Sequence, residues 1–83
     1  MPGTRDERRA VLRELAARSL CVPPDEVPFD GELAGLGLDS VLALEFLLQV
    51  SDAFDTELTA QELQHNPTID LLADFLDTKG TRL

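Results

Sequence analysis

Residues 36–54 read Leu36-Gly37-Leu38-Asp39-Ser40-Val41-Leu42-Ala43-Leu44-Glu45-Phe46-Leu47-Leu48-Gln49-Val50-Ser51-Asp52-Ala53-Phe54, a turn and start signal followed by an uninterrupted helical run. From Ser40 to about Phe54 there is no Gly or Pro, and Leu, Ala, Glu, Phe and Gln favour a helix. At about 100° per residue with Ala43 at 0°, Phe46, Leu47, Val50 and Phe54 fall within about 60° of it. These five residues make a core-facing stripe. Val41, Leu44 and Leu48 fall near 160°, 100° and 140°, on the side away from that core, with Glu45 and Asp52 flanking them. A small helical domain buries one side of such a helix, so this second strip is either covered by the segment that precedes it or is an apolar docking face with an acidic rim.

At the front of the run, Gly37 permits a tight or positive-φ turn, and Asp39 can cap the helix. Ser40 then stands in the first turn, its hydroxyl near backbone N–H groups that lack intrahelical partners. A phosphoryl group attached there is favoured by those N–H groups and by the helix dipole. Read alone, Asp-Ser before an apolar run is also an ordinary helix cap.

Outward from this stretch the chain reads as helices. From Thr4 to Leu20, apolar Val11, Leu12, Leu15, Ala16 and Leu20 have helical spacing, Thr4 suits an N-cap, and Asp6 and Glu7 suit the positive end of the dipole. Pro23 and Pro24 end that run. Residues 21–39 hold three prolines and three glycines, with Val22, Val27, Phe29, Leu33, Leu36 and Leu38 at no clean period. They read as a long loop pinned to the core, and a connection of this length is usually functional. Thr59-Ala60-Gln61-Glu62 is a capping box that opens a short helix over residues 59–64. His65-Asn66-Pro67-Thr68 breaks the chain, and Asn66 or Thr68 caps a last helix, lined by Ile69, Leu71, Leu72, Phe75 and Leu76, that runs to Lys79-Gly80. The expected fold is all-α, a small bundle of three longer helices and one short helix, forming a single domain over 1–83 with its core at about 7–78 and flexible ends.

The 83 residues carry 7 basic and 16 acidic side chains, a formal charge of −9. Residues 1–20 hold five arginines against three acids, a net of +2, and the remainder holds Lys79 and Arg82 against 13 acids, a net of −11. Such a chain repels phosphates and anionic lipid, which argues against nucleic acid or membrane as partner and for basic protein surfaces. The size argues against an enzyme that encloses its substrate. The single cysteine, Cys21, can form no intramolecular disulfide, and neither a signal peptide nor an apolar span of about 20 residues is visible. These features lead us to expect a soluble, cytoplasmic monomer.

Other chemistries fit poorly. Cys21 and His65 have no orienting third group or oxyanion-hole motif with them; Cys21 reads as a small, partly buried residue at a helix end and His65 as a turn residue. Ser40 lacks the Gly-x-Ser-x-Gly elbow of hydrolases. The acids at 25, 26, 30 and 32 do not have calcium-loop spacing.

Taken together, Leu36-Gly37-Leu38-Asp39-Ser40, the long loop before it, Phe54-Asp55, and Asn66-Pro67-Thr68-Ile69 resemble an acyl carrier protein over roughly residues 7–78. The resemblance implies that Ser40 is the attachment site for 4'-phosphopantetheine, transferred from coenzyme A by a magnesium-dependent phosphopantetheinyl transferase. It implies that Asp39 caps the helix and is read by that transferase, and that Val41, Leu44, Glu45, Leu48 and Asp52 are the partner-contact face. It further implies a carrier rather than an enzyme, one that holds acyl groups as thioesters. An acyl-loading acyltransferase or ligase and a ketosynthase or other acyl-processing enzyme would be its partners. Peptide-synthetase carriers typically have Gly where this chain has Leu38, which favours an acyl over an aminoacyl load. Carriers of primary fatty-acid synthesis have a more acidic second helix than one holding Glu45 and Asp52. A polyketide or related natural-product pathway is therefore expected, with weak, electrostatically steered docking and a dedicated basic partner. The Met1 start and the length suggest a stand-alone carrier, and a domain excised from a multidomain synthase and given an initiator Met reads the same. The alternatives are an aminoacyl or peptidyl carrier, and an unmodified helical interaction module that uses the apolar strip as a permanent interface.

Overall fold

The computed structural model describes residues 4–80; the expected flexible ends lie largely outside them. In chain order the elements are α1 (Arg5–Leu20), 3-10 turns at Pro24–Glu26 and Ala34–Leu36, α2 (Ser40–Phe54), α3 (Ala60–His65) and α4 (Ile69–Gly80). No strand is present among the described residues. Thr4 caps α1 in a capping box with Glu7, and Thr59 caps α3 in another with Glu62, so the hydroxyl and carboxylate of each pair satisfy backbone amides that a helix start leaves open. Thr68 caps α4, its Oγ1 accepting from the Leu71 N–H at 3.1 Å. Asn66 instead donates from Nδ2 to the Glu62 carbonyl at 2.9 Å and closes the end of α3.

One core lies between the helices. Leu12, Leu15, Ala16 and Ala17 of α1, Phe46, Leu47, Val50 and Phe54 of α2, Leu63 of α3, and Ile69, Leu72, Ala73 and Leu76 of α4 are buried there. The connection between α1 and α2 is more ordered than its irregular apolar spacing suggests. Its two 3-10 turns fold it locally, and Val27, Leu33 and Leu38 are buried in the core. It is fastened to α4 as well, because the Leu33 N–H donates to the Pro67 carbonyl at 2.9 Å and the Asp70 N–H to the Phe29 carbonyl at 3.0 Å.

Charge complementarity joins α1 to α4. Arg5 Nε donates to Asp74 at 2.7 Å, Arg9 lies 2.8 Å from Asp70, and Arg8 lies 3.3 Å from Asp77 while its Nε bonds the Ala73 carbonyl. Arg8 is almost wholly buried, its aliphatic stem covering apolar surface while its head group stays paired. The guanidinium groups of Arg9 and Arg13 stand 4.0 and 3.9 Å from the Phe29 ring centroid, and Arg13 also bonds the Val27 carbonyl at 2.9 Å. Cation–π attraction thus fixes the loop against α1.

Three residues differ from the sequence reading. Leu71 is exposed rather than lining the core, because Ala73 takes the inward position on α4. Cys21 is exposed: it ends α1 in the left-handed conformation (φ 59°) with its N–H bonded to the last turn, which turns its side chain to solvent. His65 is the last residue of α3, its Nδ1 3.0 Å from the Gln61 carbonyl.

The hydrogen bond from Arg5 holds the Asp74 carboxyl below its ordinary value, and Asp74 in turn raises Arg5. A carboxyl whose value is lower folded than unfolded stabilises the fold above the ordinary value of about 3.9, and this stabilisation is lost as pH falls through the lowered value. Asp74→Asn is therefore expected to lower the thermal midpoint at neutral pH, the two curves converging as pH falls below the ordinary carboxylate range. A difference that persisted or grew in acid would contradict this.

Candidate modification site and docking face

Ser40 owes its place to a stack of local constraints that begins with buried side chains. Leu33 and Leu38 anchor either end of the second 3-10 turn, and the Leu38 N–H returns to the Leu33 carbonyl at 3.1 Å. Between them Gly37 adopts φ 111°, a conformation that L side chains rarely reach. A Cβ there would meet the Leu20 side chain only at 3.6 Å, so backbone conformation and not space requires the glycine. The Asp39 N–H then bonds the Gly37 carbonyl at 2.9 Å. Asp39, in extended conformation, closes the start of α2: its Oδ1 accepts from the Leu42 N–H at 3.0 Å and its carbonyl from the Ala43 N–H at 2.7 Å. Ser40 follows as the first helical residue and is exposed. The first turn of α2 contains no acidic residue, so the partial positive charge of the helix end is offset by the Asp39 cap.

Ser40 borders a groove of about 570 Å³. Leu33, Ala34 and Leu38 form one wall, Ala43, Leu44 and Leu47 of α2 the floor, and Ala60, Leu63 and Gln64 of α3 with Pro67 the other wall. The lining is apolar apart from Asp39, Ser40 and Gln64, and small side chains at 34, 43 and 60 leave the space open. A flexible group attached at Ser40 can lie along it. Cys21 and His65 do not line it.

The far side of α2 is as the helical period requires. Val41, Leu44 and Leu48 are 77%, 61% and 66% exposed, whereas Phe46, Leu47, Val50 and Phe54 are buried. The preceding loop packs into the core and does not cover the strip. Glu45 and Asp52 are exposed beside it, and Glu45 Oε1 lies 3.4 Å from Gln49 Nε2. Ser51 is occupied structurally, its hydroxyl accepting the Leu58 N–H at 3.1 Å and fixing the turn between α2 and α3. Ser40, Asp39 and the five face residues thus lie together at one end and along one side of α2. The groove residues of α3 and of the turn at 34–36 carry no signal of their own in the sequence; only the capping box at Thr59 marks where that wall begins. No helix among the described residues is long and apolar enough to cross a membrane.

Comparison with known proteins places the chain in a family. Residues 10–76 match the family described as phosphopantetheine attachment site. A polyketide synthase, ThaQ, of Burkholderia thailandensis is 42% identical over 72 residues, 87% of this chain and 3% of that protein. A non-reducing polyketide synthase of Byssochlamys spectabilis is 35% identical over 68 residues, 82% of this chain and again 3% of the relative. The chain thus spans about 3% of the length of these synthases. Among solved structures, a free-standing peptidyl carrier protein from an uncharacterized secondary metabolic pathway of Acinetobacter baumannii superposes with a TM-score of 0.85 at 31% identity, covering 90% of this chain and 94% of that one. With the family match extending from α1 to α4, the chain belongs to the phosphopantetheine-binding carrier proteins.

Proposed function

We propose that this chain is an acyl carrier in polyketide or related natural-product assembly, with the Ser40 hydroxyl as the attachment point for 4'-phosphopantetheine. The observation that carries this reading is the position of Ser40: exposed, first in α2, directly after its cap and at the lip of an apolar groove. The residues present fit the group. The hydroxyl is accessible, the helix start suits a phosphate, and the groove gives a flexible arm apolar surface to lie against. When bound, the group supplies a terminal thiol that holds acyl cargo as a thioester.

What the protein itself does is positional. Gly37 and Asp39 set the turn and cap that hold Ser40 outward for a phosphopantetheinyl transferase, which takes the group from coenzyme A with magnesium. Val41, Leu44 and Leu48, with Glu45 and Asp52, present a face to that enzyme, to an acyl-loading acyltransferase or ligase, and to a ketosynthase or other acyl-processing enzyme. No residue of the chain is assigned a catalytic step; it is a substrate and shuttle for its partners, in the cytoplasm. The carrier is read as a monomer and a single domain over 1–83. Relatedness to polyketide synthases supports the pathway class.

A second reading, a peptidyl carrier, is favoured by the likeness to the free-standing peptidyl carrier. Leu38, where peptide-synthetase carriers typically have Gly, weighs against it. The two separate when the phosphopantetheinylated protein is offered an acyl-coenzyme A with an acyltransferase and, separately, an amino acid and ATP with an adenylating ligase. Intact mass is expected to rise by the acyl group in the first reaction; a rise only in the second would replace the acyl reading with the peptidyl one.

A further inference from the structure

Two arginines of α1 converge on one ring in the connection between α1 and α2. The guanidinium carbons of Arg9 and Arg13 stand 4.0 and 3.9 Å from the Phe29 centroid. Each arginine has a second grip: Arg13 Nε donates to the Val27 carbonyl at 2.9 Å, and Arg9 Nε lies 2.8 Å from Asp70 Oδ1. These last two atoms are buried and close, yet they are out of line for a hydrogen bond, so Arg9 is turned to the ring rather than to the carboxylate. The backbone completes the junction. The Asp70 N–H donates to the Phe29 carbonyl at 3.0 Å and the Leu33 N–H to the Pro67 carbonyl at 2.9 Å, which laces residues 29–33 to residues 67–70. Leu33 and Pro67 stand on opposite walls of the groove beside Ser40, so their hydrogen bond joins the two walls. Phe29 itself is half-buried and packs at the edge of the core, where charge as well as burial holds it.

We infer that Phe29 is a positioning residue for modification at Ser40: gripped by Arg9 and Arg13, it fixes the connection whose far end carries the serine. The inference rests on the carrier reading and adds to it a residue remote from the hydroxyl. Ser40 hangs on the turn from Leu33 to Asp39, and that turn is only as well placed as Leu33, four residues beyond the ring. A partner enzyme needs the hydroxyl in one place. A connection that moves leaves Ser40 correctly set for part of the time only, and the apparent affinity for the enzyme falls by that fraction. The attraction between a cation and an aromatic face needs the ring. Leucine keeps an apolar side chain at the edge of the core but has no such face, so Phe29→Leu loosens the connection, whereas Phe29→Tyr keeps the face and the grip.

The test follows modification of the full chain by a broad-specificity phosphopantetheinyl transferase with coenzyme A and magnesium, together with amide hydrogen exchange of the unmodified chain. Phe29→Leu should raise KM for the carrier about tenfold with kcat changed by less than about twofold, and should speed exchange at the Leu33, Leu38 and Asp39 N–H groups about tenfold. Arg13→Gln withdraws one of the two cations and should have the same effects at about threefold. Phe29→Tyr should stay within about twofold of wild type in both measurements. Leu76→Val removes a buried methylene about two turns further along α4. It should lower the urea midpoint and leave KM unchanged, which separates positioning from a general loss of stability. Circular dichroism checks that every variant is folded. A wild-type KM in Phe29→Leu, a Phe29→Tyr chain as impaired as Phe29→Leu, or an equal rise in KM from Leu76→Val overturns the inference while leaving Ser40 as the modified residue. A wild-type chain that is never modified overturns the carrier reading and the inference with it.

Discussion

A Phe46→Ala chain is expected to lose a large share of its stability at 25 °C, about 3–5 kcal/mol. Phe46 sits in the middle of α2 with no exposed surface, among side chains from the other helices in the one core. Removing a buried Phe side chain costs about 3–5 kcal/mol, from lost burial and the cavity left behind. A domain of this size has a total stability of roughly 4–12 kcal/mol at about 0.05–0.15 kcal/mol per residue. The loss therefore approaches the lower end of what is available. Two residues along the same helix, Leu48 is 66% exposed, and Leu48→Ala should move stability by no more than about 0.5 kcal/mol. Urea denaturation followed by circular dichroism compares them: the midpoint of Leu48→Ala should match wild type, and that of Phe46→Ala should fall by more than about 1 M. Similar midpoints for the two variants would mean that the inward and outward faces of α2 have been assigned wrongly.

Ser40→Ala should do the opposite, leaving the fold intact and removing all capacity for modification. Ser40 is exposed, Asp39 supplies the cap, and alanine is the strongest helix former, so the stability change is expected within about 0.5 kcal/mol. The chemical effect is total, since alanine has no nucleophilic oxygen and no other hydroxyl of the described residues stands first in α2 behind the Asp39 cap. A folded Ser40→Ala protein that gains no phosphopantetheine and supports no turnover by its partners fits a carrier. One that keeps its cellular function would instead fit the unmodified interaction module, which needs the Val41, Leu44 and Leu48 strip and not the hydroxyl.

The faces of α2 could be read from sequence because they depend on one helix only. Once residues 40–54 are helical, the period separates Phe46 from Leu48 without knowledge of what packs on either side. The same arithmetic applied with less care misplaces Leu71. Leu72, Ala73 and Leu76 lie within about 60° of Ile69, whereas Leu71 lies about 160° away, and treating every apolar residue of α4 as core overlooks Ala73. The groove beside Ser40 was illegible for a different reason. It is bounded by Ala34, Ala60 and Pro67 from three separate segments, and its volume depends on how α3 stands against α2. The ion pairs between α1 and α4 are similar: Arg5 and Arg9, and Asp70 and Asp74, each repeat at i, i+4, but only the packed orientation of the two helices shows that the ladders face each other. The turns at 24–26 and 34–36 are single 3-10 turns, too short to leave a periodic trace in the apolar residues.

Whether Ser40 carries the phosphopantetheine group is decided by intact mass spectrometry. Wild-type protein and Ser40→Ala are each measured before and after incubation with coenzyme A, magnesium and a broad-specificity phosphopantetheinyl transferase, and the product is digested to locate the added mass. Wild type is expected to gain one phosphopantetheinyl group, mapped to the peptide containing Ser40, and Ser40→Ala to gain none. A wild-type protein that is unmodified when purified and gains no mass, or a Ser40→Ala protein that gains the group, would contradict the assignment of Ser40.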